Sequence, residues 1–193
     1  METNLVNNQS EIRKSILKTA LIPQLFLVLI SIVWIFLSPD NTVIGFYEFK
    51  LWFVLAGITI GLVLAFLGYA FYKYAQKSKK FYEAVELFEN VLAPIYVNLK
   101  PIDVVFLSFL AAICEETFFR GLLMPGIGVI LSSLAFGILH LPGKQYWIYA
   151  VWAAASGALF SYLFISTGSL IMPIFAHAVN NITGMILLHK VKK

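Results

Sequence analysis

The chain has one cysteine, three histidines and few charges, with 14 Lys plus Arg and 10 Asp plus Glu among 193 residues. A single Cys114 excludes an intrachain disulfide, and a free cysteine is most often a small buried hydrophobe. The formal charge of +4 has no soluble basic face from which to act, so nucleic acid is excluded as a partner. Neither an internal repeat nor a low-complexity tract is visible. One domain over residues 1–193 is therefore expected, and a transporter built from repeated crossings finds no support. A small-residue cleavage site is missing after the first apolar run, which is accordingly expected to stay in place as a helix.

What is abundant is apolar surface. Hydrophobic residues make up 60% of the chain and the mean hydropathy is +0.85, more than one soluble core of this size can hide. The excess must face lipid, and the apolar runs are long enough to cross a hydrocarbon layer about 30 Å thick. Six crossings are expected: Ile16 to Leu37, Leu51 to Tyr72, Ile102 to Leu123, Ile127 to Leu141, Tyr146 to Ile165 and Ser169 to Leu188. The fold class is thus all-α, a polytopic membrane helical bundle of about six transmembrane helices. The fourth run barely suffices for a crossing.

Charge placement gives the orientation, because Lys and Arg near membrane ends stay on the cytoplasmic side. Arg13, Lys14 and Lys18 precede the first crossing, Lys73, Lys77, Lys79 and Lys80 follow the second, and Lys190, Lys192 and Lys193 follow the sixth. The connection from Ser38 to Lys50 holds only Lys50. Both termini are therefore expected in the cytoplasm. Within the long polar link from Lys73 to Lys100, Phe81, Val85, Phe88 and Leu92 recur at helical spacing opposite a charged face. That stripe predicts one amphipathic interfacial helix, ended by Pro94, with a role in gating substrate as a hypothesis. In the fifth crossing Ala153, Gly157 and Ser161 form a small-residue face, read as a packing surface.

The chemistry lies in the polar residues inside these runs. An ionised carboxylate in hydrocarbon costs several kcal/mol, so adjacent Glu115 and Glu116 require a reason. Glu116 and Arg120 share a helical face, acid before base, the favourable order for a charge pair. Glu115 lies about 100° round the helix, less neutralised and free for acid or base work. Taken alone, this helix fits a structural polar cluster equally well. Histidines shift the balance: His140 and His177 sit in two other apolar runs, and Asn181 shares a face with His177. Asn180 is expected to point elsewhere, and His189 to be an end-of-helix residue. The break Leu141-Pro142-Gly143-Lys144 suggests a wet cavity reaching His140, since irregular backbone at membrane depth survives only against protein or water. A base, a water path and donors for an oxyanion together point to amide hydrolysis.

Glu115-Glu116-Thr117-Phe118-Phe119-Arg120, then Phe136 to His140, then His177 to Asn181, resembles the three-part signature of the CAAX prenyl protease and bacteriocin-processing family of intramembrane endopeptidases. The resemblance runs from about residue 102 to 189 and leaves out the first two crossings. It implies a peptidase acting on membrane-associated peptides or proteins, with Glu115 and His140 activating water, His177 and Asn181 stabilising the oxyanion, and Glu116 with Arg120 supporting Glu115. A compact chain of this kind is similar to the bacterial members, which places it in a bacterial plasma membrane. Two histidines with glutamates are able to bind zinc, yet no His-Glu-x-x-His is present, and a glutamate-dependent reaction without metal or other cofactor is the preferred reading. Three alternatives carry less. Ala154-Ala155-Ser156-Gly157 is similar to the serine motif of rhomboid proteases, with His177 as base, but departs at its first position and leaves the glutamates idle. Buried Glu and His also build proton-linked transporters. A scaffold without activity would not need the full set of motif side chains.

Overall fold

The structure is a computed structural model that describes residues 2–37 and 46–191, with side chains placed for residues 9–37 and 46–187. Among the described residues every regular element is a helix. In chain order these are α1 (Glu2–Leu37), α2 (Leu51–Ala75), α3 (Tyr82–Glu86), α4 (Ala93–Val97), α5 (Pro101–Glu116), α6 (Met124–Leu139), α7 (Trp147–Thr167) and α8 (Ile171–Val191). Wider π-helical turns, Leu87–Leu92 and Thr117–Leu123, join α3 to α4 and α5 to α6. Four stretches are long and apolar enough to cross a membrane, Gln9–Leu37, Leu51–Ala75, Pro101–Leu139 and Lys144–Thr167, and Ile171–Leu187 is a shorter apolar helix. The protein is an integral membrane helical bundle.

Pro101–Leu139 is not one rod. Gly128 has φ 81° and ψ 169°, a backbone state open to glycine and strained for other residues. Beyond it the chain folds back on itself: the Ser132 hydroxyl donates to the Phe119 carbonyl at 3.0 Å, and the Phe119 and Phe136 rings meet edge to face at 5.0 Å. Residues 129–139 thus form an arm about 16 Å long at 1.5 Å per residue. This corrects the fourth expected crossing, Ile127 to Leu141. Its first residues belong to the turn, and the remainder reaches about halfway through a 30 Å layer.

Side-chain partners fix the helix directions. Arg13 pairs with Asp103 and Gln24 with Glu115, so α1 and α5 run parallel. In α2 the missing side chains of Gly57 and Gly61 admit α8, since a Cβ there would lie 2.6 Å from the Met172 carbonyl and 2.5 Å from the Ala176 carbonyl. Among the described residues three apolar clusters fill the interior: Phe53, Leu64, Phe160 and Met172 between α2, α7 and α8; Ala112, Phe164, Leu170 and Ala178 between α5, α7 and α8; and Phe119, Phe136 and Ala153 beside α6 and α7. Arg13, Lys77, Lys100 and Lys144 all fall at one end of the bundle, and Lys50, paired with Glu48 at 2.9 Å, falls at the other. The side chains of His189, Lys190, Lys192 and Lys193, and the connection over residues 38–45, lie outside the described residues.

The amphipathic stretch forms, with two differences from expectation. Its stripe faces the protein: Phe81 packs against Phe71 and Tyr74, Phe88 and Leu92 line a cavity between α2, α7 and α8, and the neighbouring Ala84, Leu87 and Ala93 are buried. Pro94 does not end it, because it sits in the first turn of α4, where a missing N–H costs nothing. The stretch is tied down by Glu89, whose Oε1 accepts from the Tyr72 hydroxyl at 2.6 Å and from Gln76 Nε2 at 3.2 Å.

Candidate active site

Glu115 lies thirteen residues before Gly128 and His140 twelve after it (128 − 115 and 140 − 128). Two arms of nearly equal length, each about 18–20 Å at 1.5 Å per residue, bring both side chains to the same depth in the bundle. Placed in alternating full crossings, the two would be about 20 Å apart along the membrane normal. The half-length arm removes that conflict.

The carboxylate of Glu115 is buried, with Oε1 accepting a hydrogen bond from Gln24 Nε2 at 3.0 Å. Its Oε2 has no hydrogen-bond partner and lies 3.5 Å from His140 Nε2 and 3.9 Å from His177 Nε2. Those separations are longer than direct hydrogen bonds, and Oε2 itself is sealed from solvent. On the far side of each ring the tautomer is constrained. His140 Nδ1 meets the Phe136 carbonyl at 2.8 Å, and a carbonyl only accepts, so Nδ1 carries a proton and the ring is held with Nε2 toward Glu115. His177 Nδ1 meets Glu116 Oε1 at 2.8 Å, and the ring stacks on Phe160 with centroids 5.2 Å apart.

Glu116 and Arg120 are wholly buried and paired at 3.1 Å. Arg120 also donates to the Gly157 carbonyl at 2.9 Å, and its guanidinium lies 4.5 Å from the Phe136 ring centroid. Neutralisation, a carbonyl acceptor and a π face together make a buried cation tolerable. The small face of α7 is what admits it: a Cβ at Gly157 would come within 2.8 Å of the guanidinium. That face therefore seats Arg120 as well as packing helices.

A cavity of about 190 Å³ opens onto this cluster, lined by His140 and His177 together with Ser156, Asn180 and Asn181 and covered by Phe88. Glu115 stands behind the two imidazoles rather than on the wall. Asn180 does not point away, as expected from sequence, but lines the cavity and donates to Asn181 Oδ1 at 3.4 Å. Tyr96, in the stretch that covers the cavity, has its hydroxyl pKa pushed up by burial and stays uncharged. Among the described residues no hydrogen bond joins Ser156 to His177, whose Nδ1 is taken by Glu116.

Five of the six residues singled out from the sequence thus meet in one cluster, and Asn181 stands one helical turn beyond His177 on the cavity wall. Sequence reasoning missed Gln24, the Gly157 carbonyl and the Phe136 carbonyl. The first is a lone polar residue in an apolar run, which alone signals nothing, and backbone acceptors leave no mark in a sequence. Among the described residues no group of three His, Cys, Asp or Glu converges as a metal site.

Parts of the chain are similar to known proteins. The uncharacterized protein YpbD of Bacillus subtilis (strain 168) is 34% identical over 76 residues, covering 39% of this chain and 40% of that protein. The chain thus spans less than half the length of the curated relative it matches. No solved structure matches. Residues 97–183, which carry Glu115 through Asn181, match the family described as type II CAAX prenyl endopeptidase Rce1-like.

Proposed function

We propose that the protein is an intramembrane endopeptidase that hydrolyses membrane-associated peptides or proteins without a metal. One observation carries the reading: a carboxylate oxygen without a donor of its own faces the Nε2 atoms of two histidines, brought from three separate helices to one depth beside a cavity. A water drawn from the cavity to the side of Glu115 Oε2 and His140 Nε2 has two acceptors for its protons, which is what a hydrolytic nucleophile needs. As the water attacks the scissile carbonyl, its proton passes to this pair and is later delivered to the leaving amine. His177, held at Nδ1 by the Glu116 carboxylate, and the Asn181 amide both line the cavity and serve the oxyanion. Arg120 pairs with Glu116 and holds it in place. Two imidazoles and a carboxylate are chemically able to bind zinc, and sensitivity to a chelator separates that route from the carboxylate one.

The stretch from Lys79 to Val97 covers the cavity and governs substrate access. The basic end of the bundle is cytoplasmic, in a bacterial plasma membrane, and both termini lie on that side. The test is cleavage of a quenched peptide library by detergent-purified protein, comparing wild type with Glu115→Ala, His140→Ala and Ser156→Ala, each with and without a zinc chelator. Loss in the first two alone, insensitive to chelator, is expected. Cleavage that survives Glu115→Ala and disappears with Ser156→Ala would instead make this a serine protease.

A further inference from the structure

We infer that Gln24 of α1 is a positioning residue for the Glu115 carboxylate, an inference that rests on Glu115 acting as proposed above. Most of α1 is apolar and turned outward, with Ile22, Leu25, Phe26 and Leu29 all exposed as lipid-facing residues should be. Gln24 is the reverse, 9% exposed and turned into the protein. Its Nε2 donates at 3.0 Å to Glu115 Oε1, a buried bond between elements 91 residues apart, while its Oε1 has no partner. The terminal torsion of a glutamate is soft, so an unheld carboxylate would rotate. A single donor on Oε1 fixes the carboxylate plane and leaves Oε2 aimed at the two imidazoles.

The choice of an amide fits the task. An arginine here, like Arg120 beside Glu116, would bring a full positive charge against Glu115 and oppose the uptake of a proton. Glutamine orients the carboxylate while adding no charge. The bond is also kept in register. Eleven residues earlier on the same helix (24 − 13), Arg13 clasps Asp103 through two nitrogens at 2.5 and 2.6 Å, at a sequence offset of 90 against 91 for Gln24 and Glu115. Two ties at matching offsets stop α1 from sliding along α5. Gln24 lies outside residues 97–183, so the matched segment borrows this contact from the rest of the chain.

The experiment measures kcat and KM for the whole 193-residue chain in detergent on one peptide that wild type cleaves, at a temperature well below the melting point of every variant. Gln24→Met keeps the shape and removes the donor, Gln24→His changes the shape and keeps an N–H, and Glu115→Gln controls for the catalytic reading. In Gln24→Met we expect kcat to fall roughly ten- to hundred-fold, the worth of a hydrogen bond to a charged group, with KM within about two-fold. Gln24→His should recover part of that loss. A wild-type kcat in Gln24→Met, or a Gln24→His no better than Gln24→Met, overturns the inference; with Glu115→Gln inactive, the catalytic reading survives that result. A fully active Glu115→Gln sinks both.

Discussion

At the scale of residues, two adjacent glutamates have been given different company. Glu116 has a guanidinium, an imidazole and no exposure, whereas Glu115 has one amide and a free oxygen. Removing the cation should therefore act on stability first. Arg120→Leu leaves a buried carboxylate unpaired and should cost about 3–5 kcal/mol, seen as a lower melting temperature in detergent. Arg120→Lys should restore only part of this, because one ammonium cannot reproduce the fork that reaches both Glu116 and the Gly157 carbonyl. Glu115→Gln is nearly isosteric, so its effect should fall on turnover, by roughly 10²- to 10⁴-fold for loss of an acid–base group, with melting little changed. The charged residues were legible in the sequence because hydrocarbon makes them expensive. Gln24 was not, since one amide in a long apolar run costs little and carries no pattern.

At the scale of elements, one close contact and one latch set the geometry. Gly61 lets α2 approach the Ala176 carbonyl, next to His177. Gly61→Val should push the helices apart, costing about 1–3 kcal/mol and shifting His177, so both melting temperature and cleavage rate should drop. Gly68→Ala is the control: its Cβ would meet only the Trp152 ring at 3.7 Å, an ordinary contact, and both readouts should stay near wild type. Tyr72→Phe removes the 2.6 Å bond to Glu89 and should raise hydrogen exchange over residues 82–97 while leaving α7 and α8 protected. The long helices were readable from their apolar runs. Wide turns at Leu87–Leu92 and Thr117–Leu123 keep helical side-chain spacing closely enough to escape notice, and the reversal at Gly128 looked like the start of another crossing because the residues after it are just as apolar.

At the scale of the whole molecule, the basic residues gather at one end, and labelling can test which side of the membrane that is. In a Cys114→Ala background, single cysteines replacing Ser10, Lys77 or Lys144 should react with a membrane-impermeant thiol reagent only after cells are opened, and a cysteine replacing Glu48 should react in intact cells. All four positions are exposed. Overall handedness of the bundle was not readable from composition, which fixes how many helices exist but not which of them stops halfway. That half-length arm makes the site a matter of counting. Between Gly128 and His140 an added residue would turn the imidazole about 100° and carry it 1.5 Å along the axis, and no neighbouring adjustment returns it to Glu115. Residues 141–146 and 76–81 bear no such arithmetic and should accept insertions. Among descendants of this chain, length should vary freely at the connections and hardly at all within those twelve positions, even where the side chains themselves are exchanged.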